Sequence, residues 1–388
     1  MLSRRGIPVT ILDAAAELDS RPRATHYGPP AVYELRRAGV IDDVLAEGFQ
    51  AAKICWRKLD GTYLTGLDNN VLKDDPDRVA CLPLGQLGKI LLNHIAQQPS
   101  AEIKWNHRVK GLGQDEYKAW VTVSTPTGET TMEATYIVGC DGANSQIRRS
   151  LHGDLNFPGK TWDEQIVATN VYYDFHKYGY EDANFIVHPD HWHMASRITT
   201  DGMWRVSYGE KAGLTHEQLA ERQPMKFQAM LPGNPTQDQY KIVNFSPYRV
   251  HQRLAESMRV DRFLLAADAA HLCNPFGGLG LTGGIVDVGG LYDCLYGIWT
   301  GQATADILDL YNTVRREKYT DIIDPVSSSN LLRMFTTDPD TVLETGSDEL
   351  FNMCRKAERD VAFAKEMALS LNGIQYDFTK HYNSRKST

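Results

Sequence analysis

Arg262-Phe-Leu-Leu-Ala-Ala-Asp268-Ala-Ala-His271-Leu-Cys-Asn-Pro275-Phe-Gly277-Gly278-Leu-Gly280-Leu281-Thr282-Gly283-Gly284-Ile-Val-Asp287 is the stretch on which the fold turns. Its short apolar opening, Arg262 to Ala266, predicts a strand buried on both faces. That strand delivers one carboxylate, Asp268, at its carboxyl end, and Pro275 then turns the chain. Five glycines between Gly277 and Gly284 let backbone come close to a flat ligand before a helix begins. The first N–H groups of such a helix are unpaired and lie at its positive dipole end, so the device suits a ligand that becomes anionic. Close packing of helix on strand explains one or two glycines; it does not explain Asp268, Pro275 and all of the glycines together.

Working outward, Met1 to Gly6 resembles the last turn of a helix stopped by glycine, and Ile7 to Leu12 forms a β-branched strand closed by Asp13. An acidic residue at that point accepts hydrogen bonds from a ribose in dinucleotide-binding folds, although a solvated turn has the same composition. Pro30 to Ala46 predicts helical packing broken at Gly39, and Leu84 to Ala96 an amphipathic helix with Leu87, Ile90, Leu91 and Ile95 on one face. Strands are expected around Glu102 to Trp105, Trp120 to Ser124 and Glu129 to Glu133. A buried run, Tyr136 to Cys140, stops at Asp141-Gly142, where Asn144 and Ser145 can cap a helix carrying Arg148. From Leu155 to Tyr248 the pattern changes to aromatic-rich strands, namely Ile166 to Asp174, Asn184 to His188, Met194 to Ile198 and Met203 to Tyr208, with a helix from His216 to Leu231. Asp348 to Leu371 is polar and helical, and the tail after Lys380 is expected to fray.

The formal net charge of -8 offers no basic stripe and excludes a nucleic-acid partner. With 42% hydrophobic and 23% charged residues, 388 residues suffice for two packed cores. Six cysteines stand singly without a CxxC pair, which predicts a reduced, cytoplasmic protein. The apolar stretch Gly283 to Trp299 is interrupted by Asp287 and Asp293, so a buried helix is expected there and no membrane span. His188, His191 and His193 with Asp190 lack an HExxH-type pattern; lining of a cavity is expected of them, and no metal. Strand alternation sends Arg205 to the face opposite Trp204 and Tyr208.

Taken together, these segments resemble the class A FAD-dependent aromatic monooxygenases of the para-hydroxybenzoate hydroxylase type, from residue 2 to about residue 325. Asp141-Gly142 resembles the family's DG motif and Asp268 its GD motif, with Ala267 where glycine is usual and Thr282 where asparagine is common. Tyr248 to Arg253, reading Y-x-x-H-Q-R, resembles the family's lead-in to the GD strand. Arg23-Ala24 lies in its flavin-contacting loop, upstream of Leu35-Arg-Arg-Ala-Gly39, and Gln86 matches a position that reaches FAD.

The resemblance implies an α/β fold: an FAD-binding Rossmann-like domain with an inserted mixed β-sheet substrate domain and C-terminal helices. The expected division is 1–154 and 251–325 for FAD binding, 155–250 for substrate and 326–388 for the helical end. It implies Asp13 for the ribose, Arg23 and Gln86 for the phosphate and ribityl region, Asp141 near the ribose or domain junction and Asp268 for the ribityl chain. Pro275, Gly277, Gly278, Gly280, Leu281 and Thr282 would cradle the isoalloxazine, and Arg205, Tyr208, His193 and His251 are the candidate substrate residues. NADPH or NADH would supply electrons, and one atom of O2 would pass to a phenolic or polyketide-like ring; a homodimer is compatible with this. The alternatives are a flavin-dependent epoxidase or reductase of an isoprenoid or polyketide, and a non-catalytic paralogue without flavin. The family places a strand and a GxGxxG loop ahead of the segment resembling Leu2-Ser-Arg-Arg-Gly6, and this sequence does not contain them. The expectation is that the strand from Ile7 to Leu12 pairs with such a strand. The chain as written would then be poorly stable and hold little FAD, and the working protein would begin roughly 20 to 30 residues earlier.

Overall fold

The computed structural model describes residues 1–19 and 21–383. Its widest element is an eight-stranded sheet in the order His271–Leu272, Lys241–Leu254, Gly159–Tyr172, Met203–Glu210, His193–Arg197, Ala183–Ile186, Lys53–Arg57, Tyr63–Asp68. All neighbours are antiparallel except Ala183–Ile186 with Lys53–Arg57. The sheet is wider than the aromatic-rich segment predicts, because the hairpin over residues 53–68 adds two strands from far upstream. Local pattern cannot reveal such pairing, since it is decided by long-range contact.

Period-two alternation gives the sheet two different faces. Val167, Val171, Trp204, Val206 and Tyr208 form a core with Leu219, Phe227 and Met230 of the helix His216–Met230. That helix starts at a capping box: Gln218 N–H donates to Thr215 Oγ1 at 3.3 Å, and Thr215 N–H to Gln218 Oε1 at 2.9 Å. On the opposite face Ile166, Trp192 and Val250 pack with Phe276, Leu331 and Met334.

A second body holds two short parallel pairs, Val9–Leu12 with Ala101–Lys104 and Ile137–Gly139 with Phe263–Leu265. These lie in separate sheets. Val9–Leu12 thus finds its partner at Ala101–Lys104, and no other strand pairs with it among the described residues. Phe263, Leu264 and Leu265 are fully buried with Leu291, Cys294, Leu308 and Tyr311 of the helices Leu279–Trp299 and Ile307–Lys318. The predicted break at Gly39 separates the helices Pro29–Ala38 and Ile41–Glu47, with Gly39 at φ 74° as the left-handed stop. Leu84–Ala96 is helical as the spacing predicts. C-terminal helices span Asp324–Thr336, Glu349–Ala357 and Val361–Leu369. A 3-10 turn spans Phe378–His381, so of the tail after Lys380 expected to fray His381 still belongs to it, and residues 384–388 lie outside the described residues. Among the described residues no helix is long and apolar enough to cross a membrane. The architecture is the mixed α/β arrangement with C-terminal helices that the sequence predicts.

Candidate functional site

The strand Phe263–Leu265 runs into a 3-10 turn, Ala267–Ala269, whose first residue takes φ 55°. Asp268 emerges from this turn into a cleft. Its side chain reaches solvent yet has protein around most of it; that burial pushes its carboxyl pKa up, against His271 and Arg23. Cys140, at the end of the neighbouring strand, shares the setting: it is exposed, and burial pushes its thiol up to about 12.

Across the cleft mouth, Asn274 Oδ1 accepts the Phe276 N–H at 3.0 Å and starts the turn Pro275–Gly277. Gln252 fixes Asn274 by accepting its backbone N–H at 2.6 Å, while its own Nε2 donates to Asp324 Oδ1 at 2.7 Å and Ser327 Oγ at 3.1 Å. Phe276 then meets Trp192 with ring centroids 5.3 Å apart, so the turn sits against the sheet.

The glycines that follow divide by task. A Cβ at Gly278 (φ 63°) would stand in open space, and one at Gly280 would meet only Cys273 Sγ at 3.6 Å. By contrast a Cβ at Gly277 would press on Ser327 at 3.0 Å, one at Gly283 on Ile323 at 2.8 Å, and one at Gly284 on Ala267 at 2.7 Å. Only Gly278 and Gly280 therefore leave room for a ligand; the other three permit close packing. Thr282 is buried, and its Oγ1 accepts the Gly28 N–H at 3.1 Å. Leu281 packs into the core around Tyr27 and Val32.

The remaining predicted residues distribute unevenly. Arg205 donates from Nε to Asn170 Oδ1 at 3.1 Å and from a terminal nitrogen to the Arg23 carbonyl. The Arg23 loop thus links the sheet to Asp268, with which Arg23 interacts electrostatically. Arg23 itself pairs with Asp19 at 3.1 Å. Asp141 accepts from Ser145 Oγ at 2.5 Å and Gln146 N–H at 2.7 Å, so it caps the helix Gln146–His152. Gln86 is half-buried in the first turn of its helix. Asp13 is exposed and accepts the Ala15 N–H at 2.8 Å. Tyr208 and His193 are cross-strand partners on the helix-covered face. His251 lies beside Thr161, with Nδ1 2.9 Å from Thr161 Oγ1, on the face opposite its neighbours Val250 and Gln252.

Three further groups join the site, and of these only His26 had no signal in the sequence. Tyr248 is 38% exposed although protein surrounds it, and burial pushes its phenol up to about 12, opposed by Arg205. His26 Nδ1 lies 2.9 Å from Thr25 Oγ1, while its Nε2 is buried without a partner. Burial, followed by Arg205, pushes this imidazole down to about 4, against Asp182. Arg148 bridges the two motif loops, donating to the Ala143 carbonyl at 3.0 Å and the Ala269 carbonyl at 3.1 Å, and stacks 3.7 Å over Phe157. Tyr248 opens the Y-x-x-H-Q-R stretch and Arg148 follows Asp141-Gly142, but no local pattern marks His26, which acquires its place from distant partners.

A flat dinucleotide fits this arrangement. The space beside Gly278, the uncapped N-terminus of the 21-residue helix Leu279–Trp299 and the carboxylate of Asp268 are a place for a ring, donors for an anionic edge and an acceptor for hydroxyls.

Comparison with known proteins agrees. Residues 1–325 match the FAD binding domain family. The chain is 36% identical over 375 residues to para-nitrophenol 4-monooxygenase of Pseudomonas sp. (strain WBC-3), covering 96% of this chain and 91% of that protein. It is 33% identical over 362 residues to 6-hydroxy-3-succinoylpyridine 3-monooxygenase HspB of Pseudomonas putida (strain DSM 28022 / S16), covering 93% and 90%. The crystal structure of p-nitrophenol 4-monooxygenase PnpA from Pseudomonas putida DLL-E4 superposes with a TM-score of 0.90 at 33% identity, over 96% of this chain and 93% of that one. With the cleft built around the GD-type turn and this likeness over nearly its whole length, the chain belongs to the class A FAD-dependent aromatic monooxygenases.

Proposed function

We propose that the substrate is a phenol taken as its phenolate, and that Arg205, with His26 and Tyr248 beside it, binds the anionic oxygen. The observation that carries this is a guanidinium that burial works against and that has no carboxylate partner among the described residues. An uncompensated cation in a cleft is costly unless a ligand supplies the opposite charge. The relatives named for nitrophenol and hydroxypyridine act on rings that bear an acidic hydroxyl, which fits the same chemistry.

FAD would lie along Asp268, Pro275, Gly278 and Gly280, with Leu281 and Thr282 supporting that loop from the core side, and with Arg23, Gln86, Asp141 and Asp13 toward its ribityl, phosphate and ribose end. When bound, it would supply the redox chemistry, two electrons from NADPH or NADH and activation of O2, with one oxygen atom going to the ring and the other to water. The protein's own part is to hold the ring between the Arg205 face of the sheet and the Pro275–Gly277 turn. Phe276 and Trp192 exclude water there, and Arg205 keeps the ring oxygen deprotonated and electron-releasing. The same proposal places the enzyme in a reducing cytoplasm, where six unpaired cysteines are stable, and divides the chain into 1–154 and 251–325 for FAD, 155–250 for substrate and 326–388 for the helical end, with the strands of residues 53–68 and 271–272 lent to the substrate sheet. Homodimerisation completes it, and light scattering of the purified protein decides that point.

The test is NADPH oxidation with a panel of para-substituted phenols, scoring hydroxylated product against hydrogen peroxide. Parent protein should couple the two, and Arg205→Ala should lose most of the product while still oxidising NADPH. Equal product yield from the variant would refute the assignment.

A further inference from the structure

Behind the cleft turn lies a fully buried charged group with no part in the chemistry above. Asp287, on the helix Leu279–Trp299, is 0% exposed. Its Oδ1 accepts from Arg315 Nε at 2.6 Å; its Oδ2 lies 2.7 Å from His271 Nε2 and accepts the Ala267 N–H at 3.0 Å. Arg315 is in turn fixed by the Ile374 carbonyl at 2.5 Å. Burial alone would raise the Asp287 carboxyl, but His271 and Arg315 outweigh it and hold the group down at about 2.

The Ala267 bond is the informative one. Ala267 adopts φ 55°, a left-handed conformation that a residue with a Cβ disfavours, and it immediately precedes Asp268. Its Cβ fits only because residue 284 is glycine; a Cβ there would approach the Ala267 Cβ to 2.7 Å. The turn that aims Asp268 into the cleft is thus disfavoured by its own residue and held from outside.

We propose that Asp287 is a positioning residue for the cofactor: anchored by Arg315 and His271, it holds the Ala267 N–H and so keeps the left-handed turn that presents Asp268 to FAD. This rests on the reading of Asp268 as an FAD contact. In Asp287→Asn the amide oxygen remains toward Arg315, the charged donor, and the amide nitrogen then opposes the Ala267 N–H, donor against donor. Ala267→Gly removes the conformational penalty, so the turn no longer needs the anchor.

FAD affinity, measured by fluorescence titration of purified protein whose folding is checked by thermal melting, decides the matter. Asp287→Asn should weaken FAD about tenfold or more, and adding Ala267→Gly should recover most of that loss. A general packing role for Asp287 gives no reason for recovery on removing one methyl group elsewhere. Gly284→Ala should also weaken FAD, and Gly284→Ala with Ala267→Gly, which moves the methyl across the contact, should restore it; this pair decides the question if Asp287→Asn does not fold. Asp268→Asn is titrated in parallel. If it binds FAD like the parent, the reading of Asp268 fails; if it binds weakly while Asp287→Asn binds like the parent, or if Ala267→Gly rescues neither partner variant, the positioning role is refuted.

Discussion

On the strand Met203–Glu210, Trp204, Val206 and Tyr208 lie beneath the helix His216–Met230, whereas Arg205 and Ser207 lie on the face turned to Phe276. The helix-covered face is closed: Trp204 is 2% exposed, Tyr208 and Phe227 not at all, with the Tyr208 ring against Phe227 and the Trp204 ring against Phe175. The cleft side instead presents the Arg205 guanidinium, hydrogen-bonded only to the neutral Asn170 Oδ1 and Arg23 carbonyl with no carboxylate opposite it among the described residues, and the unpartnered Nε2 of His26. Apolar burial holds the first face together and closes it to solvent, although Tyr208 Oη and His193 Nε2 stay unpartnered inside it. The second carries a cation whose charge no carboxylate among the described residues matches, a place where a ligand can supply the opposite charge. Neighbouring residues of one strand therefore answer to stability and to function separately, and substitutions should separate the two.

The largest separation should come from Phe227→Ala. Truncating a fully buried aromatic ring costs on the order of 3–5 kcal/mol, read by urea unfolding. The fraction that remains folded should keep its affinity for phenols. A loss under about 1 kcal/mol would show that the helix is not clamped to the sheet as described.

Next is acid sensitivity, which belongs to the same closed face. His193 is fully buried, and burial pushes its imidazole down to about 4, with Nε2 unpartnered. The unfolded chain therefore takes a proton that the folded one refuses as pH falls below about 6.5. This contribution to stability is intact above that pH and is lost progressively toward pH 4, amounting to on the order of 3 kcal/mol. His193→Gln should flatten the decline of stability between pH 6.5 and 4; an unchanged slope would mean that His193 titrates normally.

The smallest effect is expected of Tyr208→Phe. The Tyr208 hydroxyl is buried without a hydrogen-bond partner, so deleting it should leave stability within about 1 kcal/mol or raise it slightly. KM and the yield of product per NADPH should stay within about twofold. A marked fall in that yield would put Tyr208 among the substrate groups after all, and the two faces would not be functionally distinct.

Much of this comparison is legible in the sequence, and its limits have physical causes. The turn around Asp268 announces itself because a buried strand, a carboxylate, a proline and clustered glycines are all local features. Alternation likewise separates Arg205 from Trp204 and Tyr208 before any fold is known. What distinguishes the two faces is Phe276, a residue some 70 positions downstream that docks on the Arg205 side, and no periodicity reports that. The same holds for Gln252, which secures Asn274, and for Asp287, which meets Arg315 from the next helix. The glycines carry a further lesson. Five in eight residues resemble one ligand cradle, yet three of them are occupied by Ser327, Ile323 and Ala267, because a missing side chain serves packing as readily as it serves a ligand.

The central claim, that Arg205 on the open face binds an anionic ring oxygen, is tested most directly by equilibrium binding of para-nitrophenol to the FAD-loaded protein across the ionisation of that phenol. For the parent, affinity should rise as the phenol becomes phenolate. In Arg205→Met it should be at least about tenfold weaker at high pH, the value of one charge-assisted hydrogen bond, and should no longer rise with ionisation. An Arg205→Met protein that keeps both the affinity and its pH dependence would contradict the account.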